Sequence, residues 1–222
     1  MGLIVYGAAL SPFVRKARVF LAEKGAEYTL ENVNIFPPPD WFAEISPLKR
    51  IPVLKDEEAD LFLADSSAIC GYLEKKFPSP ALYPAGATDY GRALWFEEYG
   101  DSELAGHIGM GTFRPMVVAP LMGKEPDTAT ANKTIEEKLP PYFQYMESQV
   151  GSREFLVWDT FSIADIAIAT QFVNFAHAGF KPGAEAYPNL TDYLTRMHAR
   201  PSFAACIAEE TAMLDKVLKR AG

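Results

Sequence analysis

Cysteine is scarce in this chain: there are two among 222 residues, Cys70 and Cys206, far apart and without Cys-x-x-Cys spacing. That excludes a disulfide scaffold, a cysteine-based zinc site and a paired-thiol redox motif. Histidine is nearly as rare. His107, His177 and His198 are scattered without metal-ligand spacing, so no metal is expected. No apolar run approaches the roughly 18 residues that span a bilayer. Met1 to Tyr6 carry neither a basic n-region nor a long apolar h-region, so neither a membrane association nor a secretory leader is expected. Basic residues are outnumbered, 21 against 29 acidic, which leaves a net charge of −8. A chain this acidic repels phosphate backbones on average, which argues against nucleic acid as a partner. Apolar residues are not lacking: they make up 49%, with 23% charged, enough for a real core and incompatible with a disordered chain. The composition reads as a cytoplasmic protein of one large or two small domains.

The first 78 residues alternate between strand and helix signals. Leu3-Ile4-Val5-Tyr6 is a short apolar run closed by Gly7, which suits a buried strand. Ser11-Pro12 starts a helix, with serine capping free N–H groups and proline fitting the first turn; Lys24-Gly25 stops it. Tyr28 to Ile35 reads as a second strand, and Pro37-Pro38-Pro39 continues neither element. Short helical turns fit near Trp41 to Ile45. Ile51-Pro52-Val53-Leu54 and Leu61-Phe62-Leu63 read as strands around a charged turn, and Asp65-Ser66-Ser67 caps a helix ending at Phe77. Residues 79–88, rich in proline, form a linker. From 89 to 222 only helical periodicity is found, with helices expected from about 89 to the 110s, 128 to 150, 162 to the 170s, 189 to 199 and 202 to 219. The expectation is a β-α-β-β-β-α α/β domain over 1–78 followed by an all-helical one.

Three local features carry chemistry. Ser11 stands at the start of the first helix, where unpaired N–H groups and about half a positive charge favour an anion. A thiolate placed there gains both the dipole and a hydroxyl hydrogen bond. Free thiols ionise at about 8.5, so about one to two units of depression would raise the thiolate share at neutral pH from a few per cent to between roughly a quarter and three quarters. Ser11 serves equally as a plain cap. Ile51-Pro52 follows the basic pair Lys49-Arg50; a cis bond there turns the Ile51 N–H and C=O outward to pair with an extended peptide, whereas a trans bond makes an ordinary turn. Asp65-Ser66 opens a helix with an acceptor and N–H donors, which suits an amino-acid head group or simply a cap.

In that order, these features resemble a cytosolic glutathione transferase. Ser11-Pro12-Phe13-Val14-Arg15 resembles the first-helix motif of the serine-type classes, especially tau and phi and their bacterial relatives. The stretch from Ser46 to Leu54 resembles the family's Asn-Pro-x-Gly-Lys-Val-Pro-x-Leu, and Asp65-Ser66-Ser67-Ala68-Ile69 resembles its Glu-Ser-x-Ala-Ile. Phe161 to Ile166 resembles the family's helix-start box, with Ser162 and Asp165 capping each other, and Arg200-Pro201-Ser202 its Arg-Pro near the C-terminus. The resemblance covers nearly the whole chain. It implies a thioredoxin-like first domain, transferase activity of the detoxification kind, glutathione as co-substrate with no further cofactor, and a two-fold dimer.

Carried across residue by residue, the resemblance makes Ser11 the hydroxyl that stabilises the glutathione thiolate. Ile51, before Pro52, pairs with the cysteinyl backbone; Asp65 and Ser66 hold the γ-glutamyl end; Arg50 meets the glycine carboxylate. Ser46 stands in place of Asn, Lys49-Arg50 in place of Gly-Lys, and Asp65 is one carbon shorter than Glu. Asp101 matches an acid that in some classes reaches the other subunit's glutathione. A small, mostly apolar electrophile is expected between the domains, against Leu10 and Phe36 from the first and Met110 and Phe113 from the second. No cysteine lies near Ser11, unlike the thiol-disulfide classes, and Tyr6 belongs to a strand. Two other readings remain: a binding or scaffold protein without turnover, and a specialised glutathione-dependent lyase, dehalogenase or isomerase.

Overall fold

The computed structural model describes residues 2–34, 37–157 and 159–218, and the chain divides into two compact units, 1–83 and 84–222. The first unit is built on a four-stranded mixed sheet. Its strands are β1 (Leu3–Tyr6), β2 (Tyr28–Glu31), β3 (Val53–Asp56) and β4 (Leu61–Ala64), in spatial order β2-β1-β3-β4. β1 pairs parallel with β2 across helix α1 (Pro12–Glu23) and antiparallel with β3, which pairs antiparallel with β4. The short helix α2 (Phe42–Ile45) precedes β3, and α3 (Ser66–Lys76) follows β4.

The alternation of side chains along the strands explains the layers. Val5 and its register partner Leu54 are buried, and α1 and α3 pack against each other with Val14, Phe20, Leu21, Ile69 and Leu73 wholly inside. In the row Ile4, Lys55 and Phe62, the Lys55 ammonium lies 5.4 Å from the Phe62 ring centroid. Trp41 meets Tyr6 edge-on at 5.9 Å, and Tyr6 reaches Phe62 at 6.5 Å. β2 stops at Glu31, opposite Tyr6, the last residue of β1, and the expected end, Ile35, lies outside the described residues. Likewise Ile51 and Pro52 lie outside the strand expected to contain them: β3 begins at Val53, opposite the last residue of β1.

In the second unit α4 (Ala87–Tyr99) continues without a break into a π-type stretch, Gly100–Val118, and a last turn, α5 (Ala119–Leu121). It thus runs past the 110s, where the sequence reading ended it. Pro115 has no N–H to give, and the wide turn carries the chain past it, with Ala119 N–H donating to Arg114 C=O. The expected helix over 128–150 is three stretches, α6 (Thr128–Lys133), a π-type turn Thr134–Lys138 and α7 (Pro140–Val150). Helices α8 (Ile163–His177), α9 (Pro188–Ala199) and α10 (Pro201–Leu218) complete the unit.

Residues Ile163 to Phe175 of α8 are all buried, the polar Asp165, Thr170, Gln171 and Asn174 among them. Close approach needs Gly100, where a Cβ would stand 2.7 Å from the Ala167 carbonyl oxygen. The start of α8 is fixed by Asp165, which is inaccessible to solvent. Its carboxylate accepts from Ser162 N–H at 2.9 Å, the Ser162 hydroxyl at 3.1 Å, Leu156 N–H at 3.0 Å and the Tyr193 hydroxyl at 2.9 Å. Burial nevertheless pushes the Asp165 carboxyl up. No helix among the described residues is long and apolar enough to cross a membrane.

Candidate functional site

Tyr6, Val53 and Ala64 form one row across three adjacent strands. The chain leaves that row towards Ser11 from β1, enters it from Ile51-Pro52 into β3, and leaves it again at Asp65 from β4. Three segments separated by up to 54 residues in sequence thus meet at one end of the sheet. With strands about 4.8 Å apart, the row spans roughly 10 Å, the length of an extended tripeptide.

The first segment turns tightly. Ser11 N–H donates to Ala8 C=O at 3.0 Å, and Ser11 takes extended backbone angles, φ −73° and ψ 127°, before Pro12 opens α1. Its Oγ accepts from Val14 N–H at 3.4 Å. That bond uses a lone pair, so the hydroxyl proton stays available for donation. Gly7 makes the junction possible: a Cβ there would sit 2.4 Å from Val14 Cγ2 and 3.5 Å from Ile51 Cβ.

The second segment is held by Ser46. Its hydroxyl donates to Arg50 C=O at 2.8 Å and accepts from Arg50 N–H at 3.0 Å, while Lys49 N–H donates to Ser46 C=O at 2.8 Å. Lys49 adopts φ 52°, the left-handed region that glycine enters freely, which is the conformational meaning of the Gly-to-Lys departure noted in the sequence. Arg50 is exposed, and the Ile51–Pro52 bond is cis. Ile51 is 8% exposed, yet among the described residues neither its N–H nor its C=O has a hydrogen-bond partner. An N–H and a C=O without partners on one residue can pair with an added extended chain.

The third segment is the start of α3. Asp65 has φ 82°, and its Oδ1 accepts from Ser67 N–H at 2.9 Å and Ala68 N–H at 3.2 Å. Both caps use one oxygen, so the second oxygen retains its lone pairs as acceptors. Ser66 follows as the buried first residue of the helix. Sequence reasoning missed Lys16, whose buried ammonium donates to Ser67 Oγ at 2.9 Å and ties α1 to α3. The signal was available: Lys16 falls three residues after Phe13 and four before Phe20, on the core face of an amphipathic helix.

Of the residues assigned to an electrophile pocket, Leu10 and Phe113 are buried, Met110 is 59% exposed, and Phe36 lies outside the described residues. Asp101 is half-buried at the start of the π-type stretch. No cluster of metal-binding side chains occurs among the described residues.

A β-α-β sheet continued by an antiparallel hairpin and a helix, with the Ser11, Ile51-Pro52 and Asp65 segments at one end, defines a thioredoxin-like domain, here followed by a helical unit. The family model for the glutathione S-transferase N-terminal domain matches residues 5–81, and that for the C-terminal domain matches 112–210. The chain belongs to the cytosolic glutathione transferase family. It is 29% identical to glutathione S-transferase 3 of Zea mays, with 93% of each chain covered. It is 27% identical to the stringent starvation protein A homolog of Haemophilus ducreyi, covering 88% of this chain and 85% of that protein. Among solved structures, a glutathione S-transferase from Rhodospirillum rubrum superposes with a TM-score of 0.84 at 25% identity, covering 92% and 91% of the two chains.

Proposed function

We propose that the protein adds the thiolate of glutathione to a small, mostly apolar electrophile, with Ser11 as its catalytic residue. The observation that carries this reading is the Tyr6–Val53–Ala64 row, which gathers a hydroxyl at a helix start, a backbone N–H and C=O that have no partner among the described residues, and a capped helix start within a tripeptide's length. The Ser11 hydroxyl donates to the sulfur, and the N-terminus of α1 adds its positive end, so the bound thiol loses its proton at neutral pH. The sulfur then forms a bond to the electrophilic carbon. A leaving group departs with the displaced electron pair, or the adjacent carbon takes a proton.

The rest of the site holds the peptide. Ile51 N–H and C=O pair with the cysteinyl backbone, with Pro52 entering the sheet behind them. The Asp65 carboxylate takes the γ-glutamyl ammonium while Ser66 meets its carboxylate. Arg50, with Lys49 beside it, meets the glycine carboxylate. We read the protein as a cytoplasmic homodimer with no cofactor beyond its co-substrate. A specialised lyase, dehalogenase or isomerase would use the same thiolate.

The likeness to a stringent starvation protein A homolog favours a second reading, a glutathione-fold binding or scaffold protein without turnover. One experiment separates the two: the ultraviolet thiolate band of bound glutathione is titrated from about pH 5 to 9 in wild type and Ser11→Ala. Thiol ionisation well below its free value in wild type alone supports the enzyme. Binding with no such depression supports the scaffold. Loss of one charge-assisted bond predicts that Ser11→Ala lowers kcat by roughly 10- to 100-fold while KM for glutathione changes little.

A further inference from the structure

The second unit contains a cleft of about 420 Å³ between the start of α4 and the loop joining α7 to α8, and none of the glutathione-site candidates lines it. Its walls carry charges of both signs: Arg92 and Arg153 on one hand, Asp89, Glu154 and Asp159 on the other, with half-buried Phe155 and Val157 supplying apolar surface. Among the described residues no ion pair joins either guanidinium to any of the three carboxylates. Opposite charges facing one cleft but held apart leave room for a molecule that carries both.

The loop does not collapse to close that gap, because it is anchored from behind. Leu156 N–H is held by buried Asp165 at 3.0 Å, Arg153 C=O accepts from Arg196 Nη2 at 3.1 Å, and the Phe155 ring packs edge-on against Phe161 at 6.3 Å. Arg153 is itself oriented, donating from Nη1 to Gln149 C=O at 3.1 Å, and its other donors have no partner among the described residues. A preorganised cleft of this size, apolar in part and bearing separated charges, meets the general description of a small-ligand site.

We propose that this cleft binds a small zwitterion of the α-amino-acid type, with its carboxylate on Arg92 and Arg153, its ammonium on Asp89 and Asp159, and an apolar side chain against Phe155 and Val157. A dianion meets three carboxylates there, and a simple cation leaves both guanidiniums unpaired; a zwitterion alone pairs with both signs of charge.

The test is titration of the full chain at low ionic strength with L-phenylalanine, 3-phenylpropionate and phenethylamine, followed by backbone amide shifts. Expected is saturable binding of the amino acid with a Kd on the order of 1 mM or tighter, and shifts centred on residues 88–92 and 153–159. Each half-molecule binds at least about tenfold more weakly, and Arg92→Gln and Asp159→Asn each weaken the amino acid about tenfold. Both side chains are exposed, so neither change threatens the fold. No saturable binding, equal binding of either half-molecule, indifference to both substitutions, or shifts centred on Ser11 and Asp65 would each overturn the proposal.

Discussion

The Lys16 ammonium donates to the Ser67 hydroxyl at 2.9 Å, joining the second turn of α1 to the first turn of α3 across 51 residues of sequence. It is a cation wholly removed from solvent, at the seam between the two helices whose starts carry Ser11 and Asp65. Buried charge is tolerated only where its hydrogen bonds are made, so the seam depends on this side chain in a way an apolar residue does not reproduce.

Lys16→Met is therefore expected to destabilise the protein by about 1 to 3 kcal/mol, the worth of a buried hydrogen bond to a charged group. For a chain of this size that lowers the thermal midpoint by roughly 3 to 10 °C, read by calorimetry or circular dichroism. An unchanged midpoint would show that the seam holds without the cation.

Lys49 offers the opposite case. It occupies φ 52° on an exposed turn, at a position where the family has glycine. A left-handed lysine costs roughly 1 to 2 kcal/mol, against about 0.5 to 1 for the extra freedom glycine loses on folding. Lys49→Gly is expected to raise stability by about 0.5 to 1 kcal/mol in urea unfolding, whereas Lys49→Ala, bound by the same backbone strain, is not.

Acid stability should centre on Asp56. Burial would push its carboxyl up, but the Lys76 ammonium at 2.6 Å, the Tyr72 hydroxyl at 2.7 Å and the N–H groups of Ala59 and Glu58 outweigh that and hold it at about 2, below the usual 3.8. A lowered carboxyl contributes stability that is present above the ordinary value and lost as pH falls through the folded one. The loss therefore runs from about pH 5 down to about 2 and amounts to about 2 kcal/mol. In urea titrations across that range, the stability gap between wild type and Asp56→Asn should shrink as the pH drops; a constant gap would place the acid sensitivity elsewhere.

Much of the fold was legible because it is set within a few residues. Ser11-Pro12 opens α1, Asp65 caps α3 through Ser67 and Ala68, and Asp165 reaches back to Ser162, all chemistry between neighbours no more than three positions apart. Where the reading missed, a partner strand or a packing contact had decided. β2 ends at Glu31 and β3 starts at Val53, each opposite the last residue of β1, and the long helix passes the 110s because a wide turn absorbs Pro115.

The site divides in the same way. The sequence alone determined which residue types stand at each helix start and that a proline follows Ile51, since capping and the missing proline donor are local properties. Only the tertiary structure decided that Tyr6, Val53 and Ala64 share a row, that the Ile51 N–H and C=O have no partner among the described residues, and that Lys16 turns inward to Ser67. Register is fixed by burying one face of every strand at once. That condition couples residues 11, 51 and 65, and no window of neighbouring residues contains it.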